Sequence, residues 1–111
     1  MIETVLLDYL SNAVDVPCYF EVPEQVPETY IIIERTGGNM SNRLYYSTFA
    51  FKSYAQSMAE AAALDEVVVI ALLASPARDE IAAATLNSHY NYTDTATKEY
   101  RYQAVFDFLH Y

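Results

Sequence analysis

RLYYSTFAFKSYAQSMAEAAALDEVVVIALLA, residues 43–74, reads as a strand that runs straight into a capped helix. Over 44–54 a two-residue repeat puts Tyr45, Phe49, Phe51 and Ser53 on one side, and Tyr46, Thr48, Ala50 and Lys52 on the other. One side is oily and the other mixed. Ser57 and Glu60 then have the spacing of a capping box, in which the serine oxygen accepts the backbone N–H three residues on and the glutamate reaches back to the serine N–H. The spacing predicts a helix from Met58. Ala61, Leu64, Val67, Val68, Ile70, Ala71 and Ala74 give it a broad apolar arc, with Glu60, Asp65 and Glu66 marking the wet side. Such an arc needs a flat apolar partner, and the nearest is the inner face of the strand that feeds the helix. The minimal unit is a sheet with a helix lying on one side.

Upstream, Ile2, Val5, Leu6, Tyr9 and Leu10 recur at helical spacing while Glu3 and Asp8 fall elsewhere, which predicts an amphipathic helix over 2–13 bracketed by Asn12 and Pro17. Residues 18–22 read as a short strand closed by Pro23, and 23–28, with two prolines and two acids, as an exposed loop. Within 29–36 the run Tyr30-Ile31-Ile32-Ile33 is too continuous for a strand with a wet face, so both faces are expected to be covered. Gly37-Gly38-Asn39 tolerate positive φ, and with Met40-Ser41-Asn42 they predict a loop, longer than a tight turn, joining two antiparallel strands.

Downstream, Ser75-Pro76 stops the central helix and predicts one further turn through Glu80 with Ser75 as its cap. Residues 85–92 alternate, with Leu86, Tyr90 and Tyr92 on one face and Thr85, Asn87, His89 and Asn91 on the other. Residues 93–97 are a polar reversal. The clearest period-two signal is 99–109, where Tyr100, Tyr102, Ala104, Phe106 and Phe108 oppose Glu99, Arg101, Gln103 and Asp107. These last two strands make a hairpin. The expected architecture is one α+β domain over 1–111: an antiparallel sheet of about five strands, two main helices on one face, order α-β-β-β-α-β-β.

Composition narrows the function. A chain of 111 residues fits one domain. A net charge of −9 with only six scattered basic residues argues against holding nucleic acid by phosphate neutralisation. The single cysteine, Cys18, cannot form an intrachain disulfide and reads as a small buried hydrophobe. There is no cationic segment leading into an apolar stretch, and no run approaches the roughly 20 apolar residues of a membrane span. A soluble chain in the cytoplasm at synthesis is the expectation.

Signals for chemistry are sparse. His89 and His110, the two imidazoles, have no cysteine or second histidine at ligand spacing, so no metal is expected. Asp65-Glu66 and Asp79-Glu80 are sequence neighbours that point in different directions on a helix and do not form a matched acid and base. Ser53 and Ser57 lack a nucleophile elbow, and Gly37-Gly38 lacks the lysine and helix start of a phosphate loop. No catalytic residue, no cofactor and no enzyme activity is expected. Two features stand apart from a plain core. Eleven residues are tyrosine, whose rings either cover the sheet with the hydroxyl at the rim or form an interface, where a rigid ring gives contact area at small entropic cost. On the central helix, Val69 and Leu73 continue the line of Ala62 and Glu66 and so place apolar side chains on the expected wet side, the mark of a neighbouring subunit.

Four runs together carry a resemblance: Tyr30-Ile31-Ile32-Ile33-Glu34-Arg35-Thr36-Gly37-Gly38; Phe49-Ala50-Phe51-Lys52-Ser53-Tyr54-Ala55 leading into Ala59-Glu60-Ala61-Ala62; Leu86-Asn87-Ser88-His89-Tyr90-Asn91-Tyr92-Thr93-Asp94; and Tyr100-Arg101-Tyr102-Gln103-Ala104. In this order, over almost the whole chain, they resemble the small tail-completion or tail-terminator proteins of long-tailed, siphovirus-type phages and of Gram-positive prophages. None of the runs is a catalytic signature.

That resemblance implies a structural role in the virion tail or neck, in a protein held in the host cytoplasm before assembly. Copies form a ring, typically a hexamer, at the head-proximal end of the tail tube, stop its polymerisation and meet the head–tail connector. The implied partners are further copies of the chain, the tail tube protein and connector proteins, while DNA passes an acidic lumen without specific binding and no membrane takes part. The candidate interface residues are Arg35, Gly37, Gly38, Asn39, Met40 and Arg43 around the glycine loop, Val69 and Leu73 on the helix, and Asp94 and Thr95 in the last reversal. Two alternatives stay open: a neck, head-closure or other minor tail or capsid protein, and a small-ligand-binding or enzyme domain on a similar sheet.

Overall fold

The strand at residues 44–54 lies at the centre of the molecule because both of its edges find antiparallel partners. A computed structural model describes the whole chain, Met1–Tyr111. In chain order the elements are α1 (Ile2–Ala13), β1 (Cys18–Tyr19), β2 (Tyr30–Ser41), β3 (Leu44–Tyr54), α2 (Met58–Leu73), a 3-10 turn (Ser75–Ala77), β4 (Ile81–Asn91) and β5 (Arg101–His110). The fold is α+β with the expected element order. Its strands form one sheet, β1-β2-β3-β5-β4. The sheet is mixed rather than wholly antiparallel, because β1 runs parallel to β2, Cys18 opposite Ile31 and Tyr19 opposite Ile32. A parallel neighbour needs a connection that carries the chain back along the strand, and residues 20–29 supply it. The expected strand over 18–22 is accordingly cut to two residues. No helix is long and apolar enough to cross a membrane.

Both helices lie on one face. Phe49, Phe51, Phe106 and Phe108 are fully buried there with Ile31 and Ile33, under Ile2, Leu6 and Leu10 of α1 and Leu64, Val68, Val69 and Leu72 of α2. Phe51 meets Phe106 and Phe108 edge-on at 6.1 Å, a favoured aromatic geometry. Tyr9 ties the two helices together by donating its hydroxyl to the Ala71 carbonyl at 2.6 Å. The opposite face has no helix; Ile32 is buried there with Tyr30, which stacks on Tyr54 at 4.5 Å. All of Tyr30-Ile31-Ile32-Ile33 is therefore buried, as its continuous apolar character required. Burial first, and then the neighbouring Tyr54 and Glu99, push the Tyr30 hydroxyl up to about 12.

Local readings are corrected in several places. The expected glycine loop over 37–42 is strand: β2 pairs with β3 as far as Ser41 opposite Leu44, and only Asn42 and Arg43 turn the chain. Their φ values of 51° and 66° are both left-handed, as a two-residue type I′ hairpin requires. Neither glycine has a positive φ; a Cβ on Gly37 would meet open space, and the role of Gly38 is spatial. A Cβ on Gly38 would stand 2.6 Å from Arg35 Nη2 and 2.8 Å from the Tyr46 carbonyl. The expected cap at Ser75 is absent, and the turn there spans Ser75–Ala77.

Another correction is a rotation of α2. Its start is as expected, with Ser57 Oγ accepting from the Glu60 N–H at 3.1 Å, but the return bond from the Ser57 N–H to the Glu60 carboxylate is not formed. The sheet-facing side, however, is Ala61, Leu64, Asp65, Val68, Val69 and Leu72. Val67 and Ile70, expected inside, are 50% and 70% exposed, while Val69 and Asp65, expected outside, are buried. A helix apolar on every side carries no periodic signal that selects the inner face.

A further one is a bulge. β4 begins earlier than expected, at Ile81, and its register against β5 shifts between Leu86 and Ser88. The extra residue turns His89 to the helix side, opposite Ala104, and Tyr90 to the open face, opposite Gln103. Leu86 and Tyr90 therefore lie on opposite faces. The hairpin of β4 and β5 itself is as expected.

Candidate assembly interface

The ten candidate residues fall in three places. Arg35, Gly37, Gly38, Asn39 and Met40 lie on the far half of β2, and Arg43 in the turn beyond it. Arg35 sits on the helix side, donating to Ser47 Oγ at 3.0 Å and to the Glu3 carboxylate at 3.4 Å. Asp94 and Thr95 occupy the β4–β5 connection at the opposite end of the strands. There the Asp94 carboxylate accepts from the Ala96 and Thr97 backbone N–H groups, and its bonds to Thr97 and Ala96 hold it below the usual carboxylate range. On α2, Leu73 is 49% exposed, whereas Val69 is core and takes no part in the surface. The outer apolar side consists instead of Val67, Ile70 and Leu73.

One border of the sheet is uncharged as well. Residues 67–77 and 81–93 are the two longest stretches of the chain without Asp, Glu, Lys or Arg. The second contains all of β4, which is the last strand of the sheet and has a partner on one side only. At the other border β1 covers only Ile31 and Ile32, leaving the rest of β2 without an outer neighbour. Natural edge strands are commonly guarded by charged side chains and proline. β4 has neither, and the far half of β2, residues 36–41, has neither.

Two polar clusters lie on the helix side. Asp65, almost fully buried on α2, meets His89 Nδ1 with Oδ2 at 2.7 Å, while Oδ1 has no partner. Burial raises the Asp65 carboxyl, partly offset by the bond to His89. An acid holding one imidazole nitrogen is half of a catalytic triad, but no hydroxyl or thiol is hydrogen-bonded to His89. In the second cluster Ser47 Oγ and His110 Nε2 are 2.7 Å apart beneath an open cavity of about 230 Å³ bordered by Glu3, Arg35 and Tyr45. Burial lowers His110, so the neutral ring is favoured, and Ser47 is sealed from solvent. Burial likewise raises the Cys18 thiol, which disfavours the thiolate. No three His, Cys, Asp or Glu side chains come together as a metal site.

Sequence reasoning missed Asp65 and His89. The helical signal was available, since Asp65 follows Ala61 and precedes Val68 and Leu72 at spacings of four, three and four. The bulge that aims His89 at it leaves no such trace. The chain matches no protein-family model and no curated protein.

Proposed function

We propose that this chain is a structural virion protein of a long-tailed phage or prophage. Copies form a ring, six in number, at the head-proximal end of the tail tube, halt its polymerisation and present a surface to the head connector. The observation that carries the reading is the water-facing side of α2, where Val67, Ile70 and Leu73 stand exposed on a helix that already buries a full apolar side in its own core. Large apolar side chains kept together in water mark a contact surface. A ring built from one chain needs a heterologous contact, in which two different patches meet head to tail, and the sheet offers two dissimilar free borders. The hairpin tip and the turn holding Asp94 stand at opposite ends of the strands, which suits a subunit with a tube on one side and a connector on the other. A charge of −9 lets DNA pass without adhering, because like charges repel and no counterions are released.

The test is to remove the gene and image the particles. Tails of irregular or excessive length, unjoined to heads, are expected; normal tails of uniform length overturn the proposal. Capture of connector subunits and not tube subunits by the purified protein moves it to the neck instead.

A further inference from the structure

We infer that neighbouring copies join border to border, the outer side of β4 in one copy pairing with residues 37–41 of β2 in the next, so that one sheet continues from subunit to subunit. The inference rests on the self-assembly in the proposed function and specifies the joint. Direction is the first argument. Because β2, β3, β5 and β4 alternate in direction, a neighbour brought up by rotation about an axis along the strands presents its β2 antiparallel to β4. Repeating that rotation closes a ring when its angle divides a full turn.

Position is the second argument. The far end of β2 and the start of β4 lie at the same end of the sheet, since Tyr45, opposite Met40, also pairs with His110, which pairs with Ile81. The facing segments are thus residues 37–41 and the alanine-rich stretch 82–85, whose small side chains let a strand approach closely. Residues 37–41 and 83–86 are regular between bulges, which fall at Arg35/Gly37 in β2 and at Ile81/Ala83, around Ala82, and Leu86/Ser88 in β4. The third argument is charge. Two chains carrying −9 repel over most of their surfaces, and these two borders are without charged side chains, so a second copy of this chain is the occupant they fit.

Side chains on the helix side complete the joint. Asp65 marks the side of α2 that overlies β4, through its bond to His89. At 100° per residue Leu73 projects about 80° round the helix from Asp65 and Ile70 about 140°, both in the half of the helix above the start of β4. On the neighbour, Met40 shares a face with Tyr45, the helix side, and is 61% exposed. Apolar groups therefore stand above both halves of the strand pair.

The test uses the full chain with Cys18→Ser as background. An Asn39→Cys chain and a Thr85→Cys chain are mixed and treated with a short bismaleimide, which tolerates a small error in register. Cross-linked heterodimer in the mixture, and no dimer from either chain alone, is the expected result. Its loss when Leu73→Asp is added to the Thr85→Cys chain, with the circular dichroism spectrum unchanged, ties the joint to α2. Homodimers from either variant alone, or no dimer in the mixture, overturn the inference. The assay contains no phage component, so it fails or succeeds independently of the tail-length experiment.

Discussion

Leu72 and Leu73 are adjacent on α2 and chemically identical, yet Leu72 is fully buried against the sheet while Leu73 is half exposed. The inner side of the helix is held by its own chain and the outer side by nothing within it. Apolar character alone thus does not say what a residue is for; the surface it meets does. If that contrast is real, substitutions inside change folding and substitutions outside change association.

The largest effects belong to the inner side. Phe106→Ala removes one ring of the phenylalanine cluster and should cost about 3–5 kcal/mol, and Leu72→Ala about 2–5 kcal/mol, read from urea unfolding midpoints at constant slope. A small effect at Leu72 would mean that α2 is not seated as described. Gly38→Ala forces a methyl against the Tyr46 carbonyl and the Arg35 guanidinium, with an expected loss of about 1–3 kcal/mol in the same assay. Ser57→Ala removes the cap of α2 and should cost about 1 kcal/mol. Ile70→Asp, on the outer side, should shift the midpoint by less than about 0.5 kcal/mol while abolishing self-association in light scattering. A variant that unfolds instead would erase the distinction between the two sides.

The smallest expected effect is a slope in pH. Burial depresses His110 below its ordinary value, so the unfolded chain binds the proton first as pH falls. The stabilisation is complete above about pH 6.5 and is lost progressively below it, towards the depressed value of the folded state. Asp65 has the opposite sign: its raised carboxyl favours the folded state at low pH and loses that contribution as pH rises through the folded value. His110→Gln should flatten the melting temperature between pH 7 and 5; an unchanged slope would assign it to other groups.

The fold was legible where one side of an element is wet. Residues 99–109 place Tyr100, Tyr102, Ala104, Phe106 and Phe108 at every second position, and β5 buries Ala104, Phe106 and Phe108 with half-buried residues between them. The Ser57 cap and the doubly buried isoleucine run rest on equally local chemistry. Legibility failed at Gly37-Gly38, because a glycine that makes room for an arginine has the same letter as one that turns the chain. It failed at Val67, Val69 and Ile70 because four consecutive β-branched residues define no preferred direction. At His89 a bulge one turn of phase upstream reversed every following side chain. Of the candidate interface residues, Leu73 and Met40 are exposed as their letters suggested, whereas the free outer side of β4 leaves no mark in the sequence because it is defined by what it lacks.

The two residues of β1 have a mechanical consequence. By occupying Ile31 and Ile32 they act as a stop: a strand sliding along that border of β2 towards its beginning collides with Cys18 and Tyr19 and can travel no further. In the proposed ring a short plug of this kind would limit how far a docked strand can slip, and so would help hold successive copies at one common height.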